Sequence, residues 1–309
     1  MNLSISVVIP VFNEENSILD LYRETKDILL SKGVEHEIII VNDGSTDGTS
    51  TQLDTLTEDI VITLSRNFGQ TAAMAAGIAQ AKKQLIAFLD GDGQNDPKDI
   101  LVLIEEFKKN EFDLICGWRK NRKDPFHKKF VSIGARKMRQ ILFKDSIHDS
   151  GCSLKIMLTK HAKELELYGE LHRFIPMLAK NEGLRLGEIP VNHRPRRLGK
   201  TKYNWRRMIK GYLDMLSLYF WTRYTTRPLH IFGIIAILLS FMGSVGSIVW
   251  LYLHFAGSQF LKYGFPSIII FLYLSSLQIL LAGLLADKLV KNGLIHKADP
   301  GYRIKNIRI

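Results

Sequence analysis

QLIAFLDGDGQND, residues 84–96, decides the fold: an unbroken apolar run ends in two aspartates two positions apart, split by a glycine. An apolar run without polar alternation describes a strand covered on both faces, as in a parallel α/β sheet. Ligands of such sheets bind beyond the carboxyl ends of the strands. Alternate residues of an extended segment point the same way, so the carboxylates of Asp90 and Asp92 and the amide of Gln94 can meet one hard cation. Mg2+ or Mn2+ prefers such oxygen ligands and takes one or two carboxylates plus substrate phosphates. Gly91 lets the backbone approach a ligand closely.

Outward from this segment the pattern repeats. ISVVIPV (5–11), HEIIIVN (36–42) and DIVITLS (59–65) each precede a helix-like stretch, and FDLIC (112–116) reads as a fifth strand. The polar pairs Asn13–Glu14 and Asn42–Asp43 close two of these strands as Asp90–Asp92 closes another. Residues 1–203 are therefore expected to form a parallel α/β domain with its crevice at these clusters.

Charge is segregated along the chain. Residues 1–116 carry nine basic and twenty acidic side chains, whereas 117–139 carry nine basic and one acidic and 193–210 carry eight basic and none acidic. From Leu229 to Ala286 Lys262 is the single formal charge, and two uncharged runs, 231–253 and 264–286, are each 23 residues long. About 20 apolar residues span a bilayer, so both runs read as transmembrane helices. Between the domain and these helices, 204–228 reads as an amphipathic helix lying in the membrane interface, with Trp221 and Tyr224 at headgroup level. The tail 287–309 holds six Lys/Arg against two Asp. Positive residues stay inside, which places the domain and the tail on the cytoplasmic side of the inner membrane. No basic n-region opens the chain, so a cleaved signal peptide is not expected. Basic clusters in such a chain suit anionic headgroups or a lipid phosphate better than nucleic acid.

Several function classes drop out. Cys116 and Cys152 cannot build a disulfide framework and lack C-x-x-C spacing. No G-x-G-x-x-G follows the first strand, and GKT at 199–201 is no P-loop, because Arg194 stands at its first glycine position.

SVVIPVFNEE, VNDGSTDGT, SRNFGQTAAMAAG and FLDGDGQND, in this order and spacing, resemble glycosyltransferase family 2. The later DSGCSLK, HRFIP and RRLGKTKY segments, followed by two apolar helices, resemble its polyprenyl-phosphate branch. The resemblance implies a GT-A type nucleotide-binding domain. Pro10, Phe12, Glu14, Asp43 and Gly91 would hold the nucleotide; Asp90, Asp92 and Gln94 would hold Mg2+ or Mn2+ on the diphosphate. Arg119, Lys128, Lys129 and Arg196 would meet the lipid phosphate and the diphosphate. Asp149 would be the catalytic base or an orienting carboxylate, with Asp92 the second catalytic group. His172 and Arg173 read as structural residues or weak phosphate contacts, and Cys152 as a packed thiol.

The implied activity is inverting transfer of one sugar from a nucleotide sugar, a UDP-sugar such as UDP-glucose or UDP-N-acetylhexosamine, to polyprenyl (undecaprenyl) phosphate, for cell-envelope glycan modification. Membrane lipids, a second copy of the chain and a lipid-linked-sugar flippase are the partners it suggests. Two other readings stay open: a processive polysaccharide synthase subunit and a non-catalytic membrane-anchored sugar-nucleotide sensor. A Q-x-x-R-W acceptor motif is absent, against the first; intact Asp43, Asp90 and Asp92 stand against the second.

Overall fold

A computed structural model describes residues 3–57, 59–109, 111–120, 134, 137–143, 146–195, 205–224, 227–256, 264–291 and 301–308. The chain divides into two compact units, Met1–Leu216 with Asp299–Ile309, and Ser217–Ala298.

The first unit is built on an eight-stranded sheet of order β7-β5-β6-β4-β1-β2-β3-β8. Its strands are β1 (Ile5–Val11), β2 (His36–Asn42), β3 (Ile60–Leu64), β4 (Leu85–Phe88), β5 (Leu114–Trp118), β6 (Lys155–Leu158), β7 (Leu186–Pro190) and β8 (Ile304–Arg308). Every residue of β1 and β4 is buried, as expected of strands with both faces covered. Among the helices, α1 (Ile18–Ser31) and α4 (Lys98–Lys108) bury Ile18, Leu21, Leu29, Leu103 and Ile104 in one cluster with Ile5, Val7 and Ile9. Helix α2 (Thr49–Leu53) adds Leu53 to it, and α3 (Gln70–Gln80) packs against β1 and β2. Two short helices, α5 (Thr159–Glu164) and α6 (Ile175–Asn181), follow β6.

The sheet is mixed rather than purely parallel, which corrects the expectation in two places. β6 lies antiparallel between β4 and β5, and β8 pairs antiparallel with β3. Both reversals bring the start of a late strand to the edge where the parallel strands end. β8 also amends the expected separate tail at 287–309, because its last residues complete the sheet. Ile62 faces Ile307 and Val61 faces Arg308 in that pairing, and the Arg308 guanidinium donates to the carbonyls of Leu53 and Asp54.

The second unit is a helical hairpin. Helix α7 (Trp205–Tyr224) runs from the first unit into it, followed by α8 (Pro228–Phe255) and α9 (Gly264–Lys291). Each of the last two has 28 residues and so is about 42 Å long, more than the roughly 30 Å of a bilayer core. Their best windows have mean hydropathies of 2.2 and 2.4. Large apolar side chains point outward, Ile237 at 70% and Phe271 at 68% exposure, where a water-soluble hairpin would hide them. The two helices meet through small residues: Gly243 lies against the Tyr273 ring, and the Ser276 hydroxyl donates to the Ala236 carbonyl at 2.7 Å.

Candidate active site

The crevice opens because two neighbouring strands differ in length. β1 pairs with β2 as far as Val11↔Asn42, but with β4 only to Val8↔Phe88. Leu89 N–H makes a last bond to Val8 O at 3.1 Å, and the chain then leaves the sheet while β1 continues. Asp90, Asp92 and Gln94 therefore sit on a turn, not on an extended strand, so strand alternation does not align them as expected. Asp92 Oδ1 instead accepts from Gln94 N–H at 3.1 Å, closing the turn on itself. Gly91 also packs closely on β1. A Cβ there would lie 2.5 Å from Val11 Cγ1 and 3.1 Å from the Pro10 carbonyl, so this glycine seats the turn against β1. Its carbonyl accepts from the Ser17 hydroxyl at 2.9 Å.

Both carboxylates are half-buried, and desolvation acts on Asp90. Gln70, the first residue of α3, donates Nε2–H to Asp90 Oδ1 at 2.6 Å. Burial above all, then the charge of Asp92, raises the Asp90 pKa; a Ser153 hydrogen bond and the charges of Lys155 and Arg119 oppose the rise. Two like-charged carboxylates, one of them desolvated, are relieved by a hard cation. Among the described residues no three His, Cys, Asp or Glu groups gather at one point. The donor set thus fits a divalent ion that completes its shell from phosphate oxygens.

On the β1–β3 side the loops are bound to one another. Asn13 has φ 59°, a left-handed conformation asparagine tolerates, and its Oδ1 accepts from Thr46 N–H at 2.8 Å. Glu15 accepts from Gly48 N–H at 2.7 Å, and Glu14 accepts from the Ser17 hydroxyl at 2.9 Å. Both oxygens of Asp43 accept backbone N–H groups, from Phe68 at 2.7 Å and Gly69 at 2.9 Å. Burial raises the Asp43 pKa against these two bonds. Asp43 thus shapes the 66–69 loop, and Gly44 (φ 66°) lets that loop approach to within 2.4 Å of where a Cβ would stand. Pro10 is buried within β1, while Phe12 and Glu14 are half-buried at its end.

On the β5–β7 side the antiparallel β6 brings residues 149–153 to the crevice. Asp149 accepts a bidentate fork from Arg119, Nε to Oδ2 at 2.7 Å and Nη2 to Oδ1 at 2.8 Å, with side chains only 16% and 12% exposed. Burial works against the Arg119 charge, but hydrogen bonding to Asp149 and its charge outweigh it and raise the pKa. Arg119, expected to meet a lipid phosphate, is thus first of all the partner of Asp149. Glu188 of β7 holds the same segment by its backbone, accepting from His148 N–H at 2.9 Å and Asp149 N–H at 2.8 Å. Both thiols are buried; burial pushes Cys116 up to about 12 and also raises Cys152.

Beside Asp90 lies a cavity of about 160 Å³ lined by Gln70, Ser153, Lys155, His172 and Arg173. Sequence reasoning named only His172 and Arg173 among these five, as structural residues or weak phosphate contacts. Gln70 stands within SRNFGQ, Lys155 within DSGCSLK and the basic pair within HRFIP, so their motifs were visible while their convergence was not. Arg194 is another departure: the guanidinium pairs with Glu24 at 2.7 Å and Asp96 at 2.9 Å, and its N–H donates to the Gln94 carbonyl at 2.8 Å. It binds the start of the second basic segment to the Asp90–Gln94 turn. Lys128, Lys129 and Arg196 lie outside the described residues.

The glycosyl transferase family 2 model matches residues 6–166. The chain is 38% identical over 318 residues to dodecaprenyl-phosphate galacturonate synthase of Rhizobium johnstonii (strain DSM 114642 / LMG 32736 / 3841), covering 99% of this chain and 93% of that one. It is 30% identical to undecaprenyl-phosphate 4-deoxy-4-formamido-L-arabinose transferase of Enterobacter sp. (strain 638), over 98% of this chain and 93% of the relative. Among solved structures, mannosyl-3-phosphoglycerate synthase from Rubrobacter xylanophilus superposes with a TM-score of 0.58 at 14% identity, over 71% of this chain and 74% of that one. Glucosyl-3-phosphoglycerate synthase from Mycobacterium tuberculosis, in complex with Mn2+, UDP and phosphoglyceric acid, gives 0.53 at 18% identity, over 69% and 78%. At these identities the structures show a shared fold.

Proposed function

Because the chain belongs to glycosyl transferase family 2, we propose that it transfers one sugar, with inversion, from a UDP-sugar to polyprenyl phosphate at the cytoplasmic face of the inner membrane. The observation that carries this is the proximity of two charged devices: the Asp90–Asp92 turn and the half-buried Arg119–Asp149 fork, whose arginine charge acts on Asp90. The near full-length likeness to enzymes named for dodecaprenyl and undecaprenyl phosphate supports the acceptor. Helices α8 and α9 supply two membrane spans, with 204–228 lying at the interface and 1–203 forming the catalytic domain. β8 belongs to the same sheet as β1, so the chain returns to the side it left, as two crossings require.

A phosphate monoester has a second pKa of about 6 and is mostly dianionic at neutral pH. Its oxygen attacks C1 of the sugar while the bond from C1 to the diphosphate breaks, so no proton need be removed. Such a nucleophile depends on positioning and charge compensation more than on a strong base. Asp149 then orients rather than deprotonates, and Arg119 and Glu188 hold it in place. Lys128, Lys129 and Arg196 supply cations for the two phosphate groups. Asp90, Asp92 and Gln94 hold Mg2+ or Mn2+, which stabilises charge developing on the leaving diphosphate. Gln70 orients Asp90; Phe12, Glu14 and the Asp43-shaped loop cradle the nucleotide.

UDP-glucose and UDP-N-acetylhexosamine are the neutral donors expected from the resemblance. The relatives are named for different sugars, so the sugar pocket has to decide. The test incubates membranes containing the protein with labelled UDP- and GDP-sugars plus undecaprenyl phosphate and extracts the lipid fraction. A labelled, acid-labile lipid monophosphate sugar is expected. Label in polymer, or in no lipid with any donor, would reject the proposal.

A further inference from the structure

The cavity beside Asp90 is about 160 Å³, roughly the volume of five waters at about 30 Å³ each, and of a size to seat one sugar ring. Its wall is asymmetric in charge. Asp90 is the acid, facing Lys155, His172 and Arg173. Lys155 is 2% exposed; its ammonium donates to the Cys152 carbonyl and its charge acts on Asp90. That leaves the other two basic groups.

His172 is bound at both ring nitrogens. Its Nδ1 lies 2.8 Å from the Thr71 hydroxyl, and its Nε2 accepts from Arg173 Nε–H at 3.4 Å. The ring thus lies between α3 and the Arg173 guanidinium, and it steers Arg173. Thr71 follows Gln70 on α3, so one helix terminus sets both the amide that holds Asp90 and the imidazole that aims Arg173. Glu170 pairs with Arg173 Nη2 at 3.5 Å, an exposed ion pair (37% and 43%) that solvent screens and an arriving carboxylate can compete with.

We propose that this cavity takes an anionic sugar, a nucleotide hexuronate, and that Arg173, steered by His172, reads the sugar carboxylate. The inference rests on the sugar-transfer function above. The planar guanidinium fork matches a carboxylate in geometry as well as charge, which a lysine does not. Asp90, Gln70 and Ser153, which line the same cavity, suit the hydroxyl groups of the same ring. A neutral hexose would leave the guanidinium facing a sugar without a charge to meet it. The acceptor phosphate is the other anion that could answer Arg173. The uronate is favoured because Arg173 lines the same cavity as Asp90, and Asp90 belongs to the turn that would face the donor.

Kinetics with undecaprenyl phosphate and four donors, UDP-galacturonate, UDP-glucuronate, UDP-galactose and UDP-glucose, test this on the full-length membrane protein. A uronate should exceed its neutral counterpart in kcat/KM by at least about tenfold. Arg173→Met should bring the ratio to within about threefold, leaving the KM for undecaprenyl phosphate unchanged, and Arg173→Lys should restore part of it. Calorimetric binding of UDP-galacturonate against UDP-galactose, without acceptor, should show the same loss in Arg173→Met. A raised acceptor KM with an unchanged donor ratio would assign Arg173 to the acceptor phosphate and overturn the inference. So would a wild-type preference for a neutral hexose, with transfer to the lipid intact. No lipid product from any donor would instead strike at the underlying function.

Discussion

The two sides of the crevice neutralise their carboxylates by different means. On the β1–β3 side, Asp43 and Glu15 accept backbone N–H groups, from Phe68, Gly69 and Gly48. On the β5–β7 side Glu188 also accepts backbone N–H groups, but Asp149, besides one backbone bond from Arg119, is met by a guanidinium fork. Backbone donors cannot leave without the loop unfolding, so these carboxylates hold shape. A guanidinium on a side chain can share its donors with an arriving anion, so Arg119–Asp149 can respond to the acceptor while keeping its geometry. The β1–β3 side is thus a preset mould, and the β5–β7 side a charge device.

The metal turn lies between the two, and losing it should have the largest effect. Asp92→Asn is expected to lower turnover at least about a hundredfold, and EDTA should abolish transfer until Mg2+ or Mn2+ is restored. Full activity in EDTA would remove the turn from the comparison.

Breaking the fork comes next. Arg119→Ala leaves a buried carboxylate without its charged partner, a loss of about 3–5 kcal/mol where a pair is fully buried and less at the exposures here. Thermal unfolding should show the loss, and Arg119→Ala/Asp149→Asn should be more stable than Arg119→Ala alone. In transfer assays, Asp149→Asn should lower the rate without moving the acidic limb near pH 6, because that limb belongs to the acceptor phosphate. A limb that shifts in the mutant would make Asp149 a titrating base.

Asp43→Asn should affect the other side more gently. It keeps one acceptor oxygen and loses the second, at a cost of about 1–3 kcal/mol in stability. A rise in the KM for the nucleotide sugar should accompany it, with the acceptor KM unchanged. An effect confined to the acceptor would dissolve the division between the two sides.

The smallest effect concerns Cys116, whose folded thiol titrates at about 12. Alkylation of the native protein should be slow and flat from pH 7 to about 9, where an exposed thiol of pKa about 8.5 would accelerate. Since the folded pKa is raised, this group stabilises fully below the unfolded pKa. That contribution declines above about pH 8.5 as the pH rises towards 12.

The strand cores and the apolar hairpin were legible because each depends on a local pattern. ISVVIPV, HEIIIVN and QLIAFLD carry their burial in their composition, and 231–253 and 264–286 carry theirs in length. β6 and β8 were not legible as antiparallel members, since KIML and IKNIR are short and their partners lie far along the chain. Within the site, the D-x-D turn stood out by type and position, Asp149 only through the resemblance, and Arg173 no further than a structural residue or weak phosphate contact. Gln70, Lys155 and Glu188 did not, because a lone polar residue next to a helix or strand has no spacing that betrays what it faces.

The sequence by itself determined that an α/β domain is joined to two membrane-length helices, with acidic groups at the strand ends and basic segments after them. Those properties follow from residue type and period, which persist in any compact arrangement of the chain. Only the tertiary structure decided that Arg119 is bound to Asp149, that Gly91 makes room for Val11, and that Arg173 shares a cavity with Asp90. Each depends on side chains from distant strands meeting at hydrogen-bond or van der Waals distance. Strand order and direction set such meetings, and no periodicity in the chain encodes them.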